Sequence, residues 1–371
     1  MAQLYAGPPV TGLNFVGREK EIEYITELLK LGQNIVLIAP RRYGKTSLVL
    51  EVLSRMKNPE IYSAYIDVFS IPTLEMLPVQ ITREVLKNDR LDSIFATTKN
   101  SALAMLKNLN LKATIEDFEY ILGFSETQKN SWELLEKSID FIDQFPAKHQ
   151  KRMICAFDEF GDISKLDGDK IIKLFRSKIQ MHKNASYIFS GSYESVMSSL
   201  FIEKNSPFFR FARVINLGNI EKEKFIEFFQ TQLKNYQIEC QNEYLTEILD
   251  FTKGHPYYSQ LALQEIVIFN ALNKRNPDFI ELLEQLLVVE KNYIEKSWEE
   301  ISVSKENVRL IMSVVQMNRK VYSDLKNSGI NVSRAIKSLT QNGTISKTES
   351  GYELTDPLLS YWIETNVMKN I

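Results

Sequence analysis

Residues 34–38, Asn-Ile-Val-Leu-Ile, form a short apolar run rich in β-branched side chains, the pattern of a strand buried on both faces of a parallel sheet. The run leads directly into Ala39-Pro40-Arg41-Arg42-Tyr43-Gly44-Lys45-Thr46. A helix then starts at Lys45, with Leu48, Val49 and Val52 on one face. Strand, tight loop and helix in this order leave few folds open. The loop must turn its backbone N–H groups inward, and those groups together with the helix N-terminus make an anion cradle.

The residue types match that chemistry. Gly44 lets the backbone approach a bound phosphate where a Cβ would crowd it. Lys45 supplies a mobile positive charge for the β and γ phosphates, and Thr46 offers a hydroxyl to a magnesium ion. The loop fits the Walker A pattern at every fixed position but the first, where Ala39 replaces glycine. Ala39 is compatible with the role if it keeps a negative φ at the strand end. We therefore expect Pro40, Arg41, Arg42, Tyr43, Gly44, Lys45, Thr46 and Ser47 to surround ATP or ADP with Mg2+.

A second acidic signal supports the first. The apolar residues 153–157 end at Asp158-Glu159, as a Walker B strand does. Asp158 would hold the metal near Thr46, usually through water, and Glu159 would polarise an attacking water. Asp67 also ends a strand near the same edge. Read blandly, two acids at a strand end are only solvated charges. Their place after a phosphate loop, and the presence of Glu159 itself, favour hydrolysis.

The chain has 371 residues, room for two or three domains, with 44% hydrophobic and 25% charged residues. Lys plus Arg number 45 against 47 Asp plus Glu, so any nucleic-acid surface must be local. Cys155 and Cys240 are too few for a disulfide framework or metal cluster. There is no signal-peptide pattern at the N-terminus and no apolar run approaching the roughly 20 residues of a membrane span. The expectation is a cytoplasmic chain with no membrane partner.

Strands at 61–69, 153–157, 186–189 and 214–217 alternate with helices, including 17–32 and 169–181, which implies a doubly wound parallel sheet. Residues 71–150 read as mostly helical, and 89–129 hold an insertion of unknown role. From 221 to 300 the pattern is helical throughout. The last segment predicts helices at 305–317, 322–327 and 332–341, then a hairpin over 344–354 turning at 349–351. Three helices and a β-wing make a winged helix-turn-helix. The fold class is thus an α/β P-loop NTPase with an AAA+-like parallel-sheet core at 1–218, a helical lid domain at 219–300 and a C-terminal winged helix-turn-helix at 301–371.

Phe15-Val16-Gly17-Arg18-Glu19, Pro40-Arg41-Arg42-Tyr43-Gly44-Lys45-Thr46, Phe157-Asp158-Glu159-Phe160 and Gly254-His255-Pro256-Tyr257-Tyr258 together resemble the archaeal-type ATPases of the AAA+ and STAND group. The resemblance spans nearly the whole chain. It implies that Val16, Gly17 and Arg18 border the adenine and that Pro256 packs near base or ribose. It implies that Ser190 or Ser192 senses the γ-phosphate, and that Arg210 or Arg213 stabilises transition-state charge, in cis or across an oligomer interface. The segment 206–211 lacks the family's usual glycine before the arginine, which puts the arginine role in doubt. The serines could instead cap a helix, the arginines lie on the surface, and Gly254-His255-Pro256 only stop and restart a helix.

Residues 301–371 hold nine Lys plus Arg and six Asp plus Glu, a net +3 against −2 for the whole chain. Ser333, Arg334 and Lys337 on the candidate recognition helix, and Lys347 on the wing, are the DNA-contact candidates. The same surface would equally serve a protein partner. Three functions stay open: an ATP-dependent conformational switch, a DNA-binding ATPase of the origin-recognition or loader kind, and an ATP-bound interaction module that does not turn over.

Overall fold

In a computed structural model the described residues are 6–88, 131–192, 194–316, 329–348 and 351–370, with Leu4 and Leu325. The predicted insertion at 89–129, the helix at 322–327 and the turn residues 349–350 lie outside them.

The chain opens with α1 (Glu19–Lys30), β1 (Ile35–Ile38), α2 (Lys45–Arg55) and β2 (Ile61–Asp67). Then come α3 (Met76–Leu86), α4 (Ser131–Lys148), β3 (Arg152–Asp158), α5 (Ser164–Ile179), β4 (Ala185–Gly191), α6 (Glu194–Phe201) and β5 (Arg213–Asn216). The strands form one five-stranded sheet in the order β2-β3-β4-β1-β5, with every neighbouring pair parallel. The expected strand at 61–69 stops at Asp67, where the Asp67 side chain accepts the Phe69 N–H and tightens the chain into a 3-10 turn.

β1 is buried along its whole length and sits between β4 and β5. Its side chains alternate between two cores. Val36 and Ile38 join the face that carries Phe157, Phe160, Phe175, Phe189, Phe201 and Phe208. Ile35 and Leu37 join the other, with Ile25, Leu29, Leu48 and Val52 from α1 and α2. Such two-sided burial explains why the strands read as unbroken apolar runs. Because all five strands are parallel, Ile38, Asp67, Asp158, Gly191 and Asn216 end at one edge. A ligand in an open α/β sheet binds at that carboxyl edge.

After β5 the helices α7 (Lys222–Asn235), α8 (Asn242–Thr252), α9 (Pro256–Asn273) and α10 (Phe279–Ser302) follow without a strand. They share a core with α11 (Lys305–Val315), α12 (Val332–Gln341), the antiparallel hairpin β6 (Ile345–Thr348) and β7 (Gly351–Leu354), and α13 (Pro357–Trp362). Gly254, between α8 and α9, has φ +68°, and a Cβ there would come within 2.1 Å of the Ile220 carbonyl oxygen. Only glycine allows that approach, which the Ile220 N–H secures by bonding to Gly254 O at 2.9 Å.

Phe189 is fully buried with its ring 4.7 Å from that of Phe160 and 5.1 Å from that of Phe201. Phe189→Ala should therefore lower the unfolding free energy by about 3–5 kcal/mol in urea titrations followed by circular dichroism. A loss below about 1 kcal/mol would show that this aromatic face does not hold the sheet together.

Candidate active site

The phosphate loop takes the shape its residues require. Gly44 is left-handed at φ 78° and precedes the first turn of α2. Ala39, the departure from the usual glycine, does not take a positive φ, so its Cβ costs nothing. Arg42 does take one, at φ 68°, a conformation that costs an ordinary residue of order 1 kcal/mol or more. Lys45 is buried, and its ammonium donates to the carbonyls of Ala39 and Pro40 at 2.8 Å each. These carbonyls hold the charge inside the loop, where a polyphosphate would compete for it.

The acids lie directly across. Thr46 Oγ1 donates to Asp158 Oδ2 at 2.6 Å. The Tyr65 hydroxyl donates to the same oxygen at 2.8 Å. Asp158 Oδ1 accepts from Ser190 Oγ at 2.5 Å and from the Glu159 N–H at 3.1 Å. Glu159 takes a left-handed φ of 48° as β3 ends, and its carboxylate accepts from the Ser192 N–H at 3.0 Å and from the Ser192 hydroxyl. Burial, with the nearby Asp158 charge, raises the Asp67 carboxyl above its ordinary range. The same causes raise the Tyr65 phenol, so it remains a donor.

These groups fit a magnesium ion. Thr46 commits its proton to Asp158 and keeps its oxygen lone pairs for a cation, and both partners are hard oxygen donors. No group of three or more His, Cys, Asp or Glu suited to a metal exists among the described residues.

A cavity of about 400 Å³ runs from this edge to α9. Lys45, Thr46, Glu159 and Ser192 line its polar end; Val10, Phe15, Val16, Ile220, Pro256 and Gln260 line the other. An N-terminal strap frames it: the Val10 N–H donates to Ser47 Oγ at 3.0 Å and the Gly12 N–H to Glu51 Oε2 at 2.9 Å. Gly17 turns from the cavity and packs on Ile220. Arg18 lines the cavity, and its guanidinium donates to Gly218 O at 2.6 Å, Tyr43 O at 3.4 Å and the Glu21 carboxylate at 3.1 Å.

Two loop residues that line the cavity also contact the later units. Arg42 is sandwiched between the rings of Tyr257 and Tyr293, at 4.2 and 4.4 Å, and donates to Glu290 Oε2 at 2.5 Å. Glu290, only 5% exposed, also accepts the Tyr257 hydroxyl at 2.5 Å. Tyr43 packs edge-on against His255 at 4.7 Å and its hydroxyl donates to Thr355 O at 3.4 Å. Pro40 lies on this side too, in a cleft shared with Gly343, Lys347 and Thr355. The loop thus touches the helical unit and the C-terminal unit as well as the phosphate site.

The remaining candidates fall elsewhere. Arg213 opens β5 at the amino edge of the sheet and donates to the Tyr24 hydroxyl at 3.0 Å; Arg210 lies over the Phe209 ring at 5.2 Å. Neither lines the cavity, so contact with the chain's own γ-phosphate gains no support from this geometry. Ser190 is buried against Asp158, whereas Ser192 lines the cavity. Ser333, Arg334 and Lys337 form the exposed face of α12, and Lys347 is exposed on β6. Tyr65, Tyr257, Gln260 and Glu290 escaped the sequence reading. Glu290 alone left a signal: it interrupts the buried row Leu282, Leu286, Ile294 at helical spacing.

Residues 15–261 match the family described as an ATPase domain predominantly from Archaea. No curated protein matches the sequence. Among solved structures, a Walker-type ATPase of Pyrococcus abyssi is similar at 18% identity and TM-score 0.68, over 96% of this chain and 98% of that one. The ORC2 protein of Aeropyrum pernix, in ADPNP–ADP complexes, is similar at 10% identity and TM-score 0.57, over 96% of each chain. The ORC1 protein of the same organism, in complex with DNA, reaches 11% identity and TM-score 0.51, over 98% of this chain and 96% of that one. At these identities the likeness is one of fold: a P-loop NTPase sheet with its helices.

Burial and the nearby Arg42 charge push His255 down to about 3, so it is neutral in the folded chain and its Nδ1 can accept the Tyr258 N–H at 3.4 Å. The unfolded chain binds a proton there near pH 6.5. The stability this neutral histidine contributes is therefore complete above pH 6.5 and lost as pH falls from there toward 3. Asp356, which burial pushes up, titrates in the opposite sense, so the comparison must be differential. His255→Asn, which keeps a capping acceptor, should flatten the fall in thermal midpoint between about pH 6.5 and pH 5. Parallel profiles for the two proteins would refute the burial of a neutral imidazole.

Proposed function

The chain belongs to the family of ATPase domains found predominantly in Archaea, and from that premise we propose that it binds ATP with magnesium, hydrolyses it slowly and uses the cycle as a STAND-like conformational switch in the cytoplasm. The observation that carries the switch reading is the outward grip of the phosphate loop. Arg42 holds Glu290 on α10 and Tyr43 reaches Thr355 beyond β7, so a change in loop geometry is felt by both later units. Those units act as a helical lid over 219–300 and a winged helix over 301–371, on an ATPase core over 1–218. Nucleotide between core and lid would then bias two arrangements of the same parts.

In this reading Lys45 leaves the Ala39 and Pro40 carbonyls for the β and γ phosphates, while the loop N–H groups and the α2 N-terminus carry the remaining charge. Thr46 and Asp158 would hold the magnesium ion, whose chemistry is to neutralise charge building on the γ-phosphate. Glu159 accepts the proton of the attacking water, and Ser192, which now restrains that carboxylate, is the serine placed to register the γ-phosphate. Val16, Ile220, Pro256 and Gln260 surround the base and ribose.

A second reading, a DNA-binding ATPase, draws on the net +3 of residues 301–371 and the exposed Arg334 and Lys337. It is tested together with the first. ATP turnover would be measured for wild type and Glu159→Gln, each with and without duplex DNA. The switch predicts slow turnover indifferent to DNA and lost in Glu159→Gln. A severalfold rise with DNA would make the second reading the better one. Lys45→Ala should weaken ATP binding by about tenfold or more, and an unchanged affinity would end both.

A further inference from the structure

At the acidic edge the Tyr65 hydroxyl has no assigned part in binding phosphate or activating water. We propose that Tyr65 is a positioning residue for the divalent cation: its hydroxyl holds the Asp158 carboxylate in the orientation the cation and its water need. The inference rests on the ATPase reading of the site and deepens it.

The placement follows from strand register. β2 and β3 pair in parallel, with Tyr65 opposite Ala156 and Asp67 opposite Asp158. Residues 65 and 67 share one face of β2, since side chains alternate along a strand. The Tyr65 backbone thus lies two residues behind the carboxylate, about 6.6 Å along the strand. A serine or threonine at 65 could not cover that span. A phenol does, and reaches Asp158 Oδ2 at 2.8 Å. The ring is anchored independently of its hydroxyl, packed against the buried apolar cluster that includes Ile154 and Ala156. The hydroxyl is therefore a fixed point rather than a mobile partner.

Asp158 needs such a point. A carboxylate offers about four acceptor positions, and all four are taken here. On Oδ1 the donors are the buried Ser190 hydroxyl and the chain's own Glu159 N–H, both part of the sheet edge. On Oδ2 they are Thr46 and Tyr65. Thr46 is the group that must meet the cation, so its hydrogen bond adjusts when the site fills. Rotation about the last torsion of an aspartate is soft. With Thr46 as the sole partner of Oδ2, the carboxylate would follow every movement of the loop. Tyr65 ties that oxygen to the sheet and leaves Thr46 free to serve the metal. Groups that orient a metal's ligands from outside its shell commonly change its affinity by 10–100-fold.

Tyr65→Phe keeps the ring and its packing and removes only the tether. The full-length protein would be titrated with Mn2+ while binding a fluorescent ADP analogue, and again in EDTA. We expect the Mn2+ concentration for half-saturation to rise about tenfold, while affinity without metal and the thermal midpoint of the metal-free protein stay near wild type. A purely structural tyrosine would lower the thermal midpoint and leave the Mn2+ dependence alone; half-saturation within about twofold of wild type overturns the proposal. Wild-type binding that ignores Mn2+ altogether would overturn the ATPase reading and this inference with it.

Discussion

The Asp158 carboxylate is the point on which the site depends. It is buried at the carboxyl end of β3 and joins four parts of the molecule through hydrogen bonds: Thr46 on the phosphate loop, Tyr65 on β2, Ser190 on β4 and the Glu159 N–H that begins the next turn. A buried carboxylate without partners would be several kcal/mol too costly to keep ionised, of order the penalty for any uncompensated buried charge. Here the desolvation is offset by donors that the fold already has to bring to one edge. The same bonds set the distance between loop and strand, and with it the width of the cavity's polar end.

The phosphate loop has a second set of obligations that its motif does not express. Arg42 and Tyr43 line the cavity and also reach the later units. Arg42 enters a slot between two tyrosine rings and meets a carboxylate that is nearly inaccessible to solvent. Tyr43 rests on a neutral, buried His255 and reaches the strand end beyond the hairpin. Arginine suits such a slot, because its planar guanidinium stacks on aromatic faces and pairs with a carboxylate at once. Loop and later units are thereby joined by a short polar chain set in an apolar contact. Such a contact tends to have discrete arrangements and to resist continuous deformation. Glu159 is restrained in a similar way, in a left-handed backbone and against Ser192, so its carboxylate is held in one place at the edge of the cavity.

Much of the core was legible because it obeys short-range rules. β1 is a continuous apolar run with glycine and lysine after it, and its two-sided burial leaves no other sequence pattern open. The helices from α7 to α10 follow the helical pattern read over 221–300, and the structure adds a complete capping box of Asp278 and Glu281 at the start of α10. Among the described strands of the sheet the differences lie at element ends: β2 stops at Asp67 because an Asp side chain captures the next turn. Arg18 lines the cavity, as the sequence reading expected of a residue bordering the adenine, and its guanidinium also bonds two carbonyls far apart in the chain. Nothing local could have shown this, since Gly218 lies 200 residues away. The two serines at the end of β4 were indistinguishable in sequence. The strand end separates them: Ser190 lies within β4 and donates to the buried Asp158 carboxylate, whereas Ser192 lies just past Gly191 and lines the cavity.

By itself, then, the sequence determined a phosphate cradle, an acidic strand end opposite it and the parallel sheet that must carry both. Each of these depends on residue types and spacings within one strand–loop–helix unit. The tertiary structure alone decided which groups complete the site. Tyr65 meets Asp158 only through the register of two strands that are 85 residues or more apart in the chain. Arg42 meets Glu290 only because a helix 248 residues downstream folds back over the loop. Hydrogen bonds and ion pairs act over a few ångströms of space without regard to chain distance. Which pairs form is therefore set by how the sheet and helices pack, after the local pattern has done its part.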